Sequence, residues 1–291
     1  MRQPRPMHRL PLRLLAAPLL ALGLAQGSHA QVLTLGVVPQ QPAAKLYSLW
    51  QPLIEQVRSD SGIELVFKTA VDIPAFEDGL RRGDYDLAYM NPYHYAVFSR
   101  SSGYNALVAQ APGRLKGLIV VRRDSRFKRL EDLAGQRLVF PSPAAFAASL
   151  ITRRELAARG IPVEVRFVRS HDSVYFNVQR GFAAAGGGVW RTLKSTTPEA
   201  REALRVLWQS PGYPPHPIAA HPRVPLALQG RVQQALIRLA DSERGRKLLE
   251  RLRFQAFAAT VDADYAEVAA LDWQGIPGTL EPSEEAEAHT P

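Results

Sequence analysis

Two stretches of this chain place polar residues where an apolar run gives way to a helical pattern. The first is Asp86-Leu87-Ala88-Tyr89-Met90-Asn91-Pro92-Tyr93-His94-Tyr95, and the second is Phe140-Pro141-Ser142-Pro143-Ala144-Ala145-Phe146-Ala147-Ala148-Ser149. At such a junction the leading amides of the helix have no intrahelical partner, and the helix dipole favours negative charge. The physics therefore points to a small anion rather than a cation. Asn91 and Ser142 stand at the junctions themselves, where turn-making competes evenly with a ligand contact. One junction in each half of the chain describes a clamp better than a reaction centre.

The sequence offers little to a catalytic reading. No Gly-x-Ser-x-Gly elbow or zinc-type histidine pair occurs, and His94, His216 and His221 lack metal-ligand spacing. No metal or cofactor is expected. The chain has no cysteine, which removes thiolate chemistry and a lipid anchor on an N-terminal cysteine. Gly186-Gly187-Gly188 lacks the lysine and hydroxyl of a P-loop, so close backbone approach is the better reading. Trp190 follows after Val189 and is expected to wall a cleft together with Phe146. The arginines are scattered without basic-aromatic stripes, and a nucleic-acid partner is not expected.

Arg2, Arg5, Arg9 and Arg13 precede an apolar run from Leu14 to Ala25, and Ser28-His29-Ala30 supplies small residues for cleavage. Residues 1–30 read as an export signal, the alternative being an uncleaved anchor. Removing it lowers the net charge from +9 to +5 (9 − 4). That surplus permits an anionic ligand without requiring one. An acidic, disordered tail is expected over 279–291.

Hydrophobic periodicity supplies the elements that must hold the junctions. Strands are expected at Val32–Val38, Ile63–Thr69, Tyr85–Met90, Gly117–Arg122, Arg137–Phe140, Val163–Val168, Ala183–Val189 and Leu204–Gln209. Helices are expected between them, including Leu46 to Gly62 with a kink at Pro52, Pro92 to Arg100, and Ala144 to Arg159 ended by Gly160. Asp172 is the expected N-cap of a helix running to Gly181. The alternation argues for two α/β lobes with mainly parallel sheets, the second inserted into the first. The chain would cross near Gln110–Lys116 and return near Pro214–His221. Lobe 1 then comprises 31–113 and 218–278, and lobe 2 comprises 114–217.

Several fragments resemble the periplasmic solute-binding proteins of phosphate, phosphite and phosphonate ABC transporters. They are Leu35-Gly36-Val37-Val38-Pro39, Trp50-Gln51-Pro52-Leu53, Gly83-Asp84-Tyr85-Asp86-Leu87-Ala88-Tyr89, Gly135-Gln136-Arg137-Leu138-Val139-Phe140, Ser170-His171-Asp172 and Ser210-Pro211. They occur in the family's order across most of residues 32–220. The resemblance implies a two-lobed periplasmic binding protein, a hinge, and an oxyanion delivered to a membrane permease. A receptor feeding a membrane sensor kinase and an exported hydrolase are the alternatives, and a monomer is expected.

The resemblance also implies site residues. His171 matches a ligand-contacting histidine ahead of a helix, and its charge is expected to respond to pH near neutrality. Tyr93 and Tyr95 face the cleft from the first lobe, with Tyr93 the one to reach the ligand. Tyr47 divides evenly between cleft and core. Phosphonate receptors of this type carry a run of hydroxyls after the second-lobe strand, whereas this chain has Ala144-Ala145-Phe146-Ala147. Losing such charge-assisted bonds costs about 1.5–3 kcal/mol each. The amides of Ala144, Ala145 and Phe146 are then the remaining donors, and a cleft filled by Phe146 without any ligand is a further possibility.

Overall fold

The computed structural model describes Met1 and residues 31–280, so the expected signal and the tail beyond Leu280 lie outside the described residues. The elements run β1 (Val32–Val37), α1 (Ala43–Ser61), β2 (Glu64–Lys68), α2 (Ile73–Arg82), β3 (Leu87–Tyr89), α3 (Pro92–Ser101) and β4 (Asn105–Ala111). After a crossing come β5 (Gly117–Arg122), β6 (Arg137–Phe140), α4 (Thr152–Ala158), β7 (Glu164–Phe167), α5 (His171–Gln179), β8 (Ala185–Val189), α6 (Trp190–Ser195), α7 (Pro198–Ala203) and β9 (Leu204–Gln209). The chain then returns through β10 (Pro217–Ala220), α8 (Leu226–Arg238), α9 (Glu243–Arg251) and β11 (Ala256–Ala259).

These strands make two sheets, ordered β11-β4-β10-β3-β1-β2 and β7-β6-β8-β5-β9. Parallel ladders join β1 to β2 and β3, and β6 to β7 and β8. The strands next to the crossings pair antiparallel: β10 with β3 and β4, and β5 with β8 and β9. The sheets are therefore mixed, because a chain that leaves one sheet and comes back lays its outgoing and returning strands in opposite directions. The two crossing segments also pair with each other, Leu115 N–H donating to Tyr213 O at 2.7 Å and Tyr213 N–H to Leu115 O at 2.8 Å. This short ribbon is the hinge.

Helix α1 buries Leu46, Trp50, Leu53, Ile54 and Val57, a spacing that keeps one face on the first sheet. It runs through Pro52 as a single helix, where a kink or a split is expected. Proline cannot donate to the carbonyl four residues back, Ser48 O, and Arg251 of α9 donates to that oxygen instead at 3.0 Å. Gly62 (φ 66°) and Gly83 (φ 70°) end α1 and α2 in the left-handed conformation that suits glycine.

The expected helix over 144–159 divides. Phe146–Ile151 forms a wide turn with i→i+5 hydrogen bonding, and only Thr152–Ala158 is α-helical. The neighbouring strands explain why this wide turn can sit so close. A Cβ on Gly117 would overlap Ala147 O, and one on Gly187 would overlap Ala148 O and the Phe140 ring. The glycine run of β8 is thus a packing surface, with Val174 and Tyr175 of α5 crowding Gly186 and Gly188.

The apolar core of the first sheet continues without a break into Ala144–Ile151, so the lobes are closed on one another. A C-terminal strap, residues 271–280, reinforces this closure. Trp273 lies edge-on to Tyr93 (5.3 Å) from one lobe and to Phe146 (6.1 Å) from the other. The buried Arg153 guanidinium donates to Pro277 O and Pro143 O, both at 2.8 Å. Burial, with no carboxylate partner among the described residues, pushes the Arg153 pKa down to about 10. Leu280, expected within the disordered tail, is instead held through its N–H and C=O by the Tyr93 hydroxyl.

Candidate functional site

The carboxyl ends of β1, β3, β6 and β8 meet where the two sheets approach, the position at which open α/β sheets hold ligands. Val38 and Gln40 come from the end of β1, Asn91 from the end of β3, and Ala145–Ala148 from the loop after β6. His171 opens α5, Val189 ends β8, and His216 comes from the returning hinge segment. Together they enclose about 10 Å³, roughly the space for one water.

Asn91 takes the capping role and also ties the two lobes together. Its side-chain oxygen caps α3 by accepting from His94 N–H at 2.8 Å, and its amide donates across the cleft to Ala144 O at 3.1 Å. Gln40 is the other connector. Its carbonyl accepts from His171 N–H (3.1 Å), its amide nitrogen meets His216 Nε2 (3.1 Å), and its side-chain oxygen accepts from Arg191. The amide nitrogen can only donate, so His216 accepts and is neutral. His171, 1% exposed, exchanges a hydrogen bond with Thr192 Oγ1 through Nδ1 at 3.1 Å.

Burial, with the Arg191 charge in addition, pushes the His171 pKa down to about 3. The same two causes hold His216 well below its ordinary value. Neither ring carries charge near neutrality, which corrects the expectation of a pH-responsive His171. The charge at this junction belongs to Arg191, whose guanidinium lies 5.8 Å from the Tyr89 and Phe254 ring centres.

A larger space of about 290 Å³ opens outward from Val189 and His216 along the hinge. Its lining includes Trp190, Arg114, Lys116, Arg191, Lys194 and Arg253, and no acidic side chain among the described residues. Trp190 is 39% exposed, donates to Gln209 Oε1 at 3.0 Å, and lies beneath Lys194.

The structure thus brings Asn91, Ala145, Phe146 and His171 together, with Ala144 behind them as the acceptor of the Asn91 bond. The other expected residues sit elsewhere. Tyr47 is 51% exposed and packs edge-on to Phe67, outside both core and cavity. The Tyr93 hydroxyl is taken by Leu280. The Tyr95 hydroxyl bonds Asp262 and accepts from Ala106 N–H, on the β4 side of the lobe. Ser142 is buried outside the cavity lining, its hydroxyl without a partner among the described residues. Trp190 and Phe146 line different spaces and do not face one another. Ser170, not Asp172, caps α5 by accepting from Ser173 N–H at 3.1 Å, while Asp172 pairs with Lys45 at 3.2 Å. Sequence reasoning passed over Gln40 and Arg191, although Arg191 lies in the first turn of the helix that follows the glycine-rich strand.

Two hinged lobes joined by a paired crossing, with the site at the strand ends between them, define the class of two-lobed periplasmic binding proteins. The chain belongs to the family of periplasmic substrate-binding proteins of phosphonate ABC transporters, whose profile matches residues 35–265. A phosphonates-binding periplasmic protein of Escherichia coli is 22% identical over 276 residues, covering 87% of this chain and 82% of its own. The phosphate-import protein PhnD of Mycolicibacterium smegmatis is 22% identical over 174 residues, about half of each chain (54%). Among solved structures, a Prochlorococcus marinus protein in complex with methylphosphonate superposes with a TM-score of 0.75 at 17% identity. That match covers 82% of this chain and 96% of the other, and it establishes the shared fold.

Proposed function

We propose that this chain is an exported solute receptor that traps an anion of the phosphonate or phosphate class between its lobes and presents it to an ABC permease. One observation carries the reading: Arg191 stands where the lobes and the hinge meet, held by the Gln40 side-chain oxygen, while Gln40 in turn meets His216 and accepts from His171 N–H. No carboxylate pairs with that cation among the described residues. A cation held at a closing interface without an acid is completed by an anionic guest. Inner donors would be the Asn91 amide, His171 and the main-chain N–H groups of Ala144–Phe146. With about 10 Å³ inside, entry requires the lobes to part at the Leu115–Tyr213 ribbon, a hinge motion of the familiar kind. The receptor would act as a periplasmic monomer after loss of residues 1–30, without catalysis.

The test is calorimetric titration of the mature chain with phosphate, phosphite and methylphosphonate, followed by phosphorus NMR of the released solute. A receptor binds one equivalent and returns it unchanged. A bound anion at a hundred times its dissociation constant stabilises the fold by about 2.7 kcal/mol. Turnover of the solute, or no stabilisation by any anion, refutes the proposal.

A further inference from the structure

We infer that the outer pocket, rather than the inner cavity, takes the charge of the solute, and that the solute is a multiply charged phosphate compound of the phosphate-ester or pyrophosphate type. The inference rests on the receptor reading above and specifies where that receptor holds its ligand. Three observations carry it.

The first is charge balance. Lys116, Arg191, Lys194 and Arg253 converge on a space of about 290 Å³, and none of them contacts a carboxylate among the described residues. The fifth cation, Arg114, is already paired with Glu267 at 2.6 Å. Four cations gathered without acids repel one another, and a singly charged guest would leave most of that repulsion in place. The second observation is room. The inner cavity is closed by Phe146 and lined by neutral imidazoles, whereas the outer space lies at the small end of ordinary ligand sites.

The third is a backbone conformation. Arg253 follows the end of α9 at φ 59°, in the left-handed region where a helix terminus favours glycine. From there its guanidinium reaches across to the other lobe, donating to Ser195 Oγ and Lys194 O, both at 3.1 Å. Both contacts are neutral acceptors, so the positive charge remains uncompensated at the pocket wall. An arginine kept where glycine fits better is explained by what its side chain does there. Lys194 stands beside it over the Trp190 ring, at 5.7 Å from the ring centre. Residues of both lobes and the hinge thus wall the pocket, and a polyanion seated in it would draw the lobes together.

The experiment titrates the full mature chain, and its Arg253→Gly and Lys194→Ala variants singly and together, with pyrophosphate and with methylphosphonate. Arg253→Gly removes the cation while relaxing the helix end, and Lys194 is exposed, so circular dichroism melts should report intact folds. Expected are tighter binding of pyrophosphate than of methylphosphonate, an affinity that falls as salt rises, and about a tenfold or greater loss for each cation removed. Pyrophosphate that fails to bind, or binds the double variant as well as the parent, overturns the pocket assignment. If methylphosphonate or phosphate still binds in that case, the receptor reading survives alone. If no anion binds the parent chain, both fall.

Discussion

Truncating Phe146 to alanine separates stability from access in a single substitution. The ring is 1% exposed and packs edge-on between Tyr213 of the hinge (5.3 Å) and Trp273 of the strap (6.1 Å). A buried Phe→Ala change costs about 3–5 kcal/mol from lost transfer energy and the cavity left behind. Each edge-to-face pair adds about 0.5–1.5 kcal/mol, which places this site toward the upper end of that range. Urea unfolding at pH 7 measures the loss, with Phe146→Leu expected to fall between parent and alanine. The vacated space adjoins Asn91, His171 and the Ala145–Ala148 amides, so methylphosphonate should bind the less stable Phe146→Ala protein more tightly than the parent. A stability loss below about 1 kcal/mol would refute the reasoning, because it would mean that the ring is not the wedge closing the inner site. Unchanged methylphosphonate affinity alongside a full stability loss would show that neutral donors there do not suffice for an anion.

Gly187→Ala should abolish folding or cost about 4 kcal/mol or more, since its Cβ would collide with a carbonyl that cannot move without displacing the whole wide turn. Gly230→Ala in α8, where an added Cβ meets nothing, should raise stability by about 0.5–1 kcal/mol, and melts of the two variants read the contrast. Acid sensitivity follows from the buried imidazoles. His171 is depressed in the fold to about 3 from an ordinary 6.5, so the unfolded chain binds a proton that the folded chain refuses between those values. Stability from this group is therefore complete above about pH 6.5 and declines by about 1.4 kcal/mol per unit as pH falls through the window. Urea midpoints at pH 7, 5 and 4 test the slope, and an imidazole NMR shift that titrates near 6.5 for His171 would contradict it.

The alternation of strands and helices was legible because periods of two and 3.6 dominate segments such as α1 and β5. Glycine and proline interrupt that pattern around Gly113 and Pro214–Pro217, between strands of one sheet and strands of the other. Three strands escaped. β10 and β11 are four residues each, too brief for periodicity to show, and β4, Asn105–Ala111, lacks a clean alternation of apolar and polar residues; all three are paired only through long-range contacts. The wide turn at Phe146–Ile151 escaped for a different reason: its hydrogen bonding is chosen by glycines thirty to forty residues away on β5 and β8. Pro52 misled because the group that replaces its missing N–H, Arg251, lies far along the chain. Of the residues lining the inner cavity, Asn91 and His171 stand out in the sequence because they fall at helix starts. The cation cluster was not, since Lys116, Arg191, Lys194 and Arg253 come from the hinge, α6 and the end of α9, and no local pattern links them.

The position of Trp273 has a practical consequence. Its indole touches a ring from each half of the molecule, so it cannot keep both neighbours once those halves separate. Parting them must shift its emission, which gives the protein a built-in optical gauge of how far its jaws stand open, readable without any added dye.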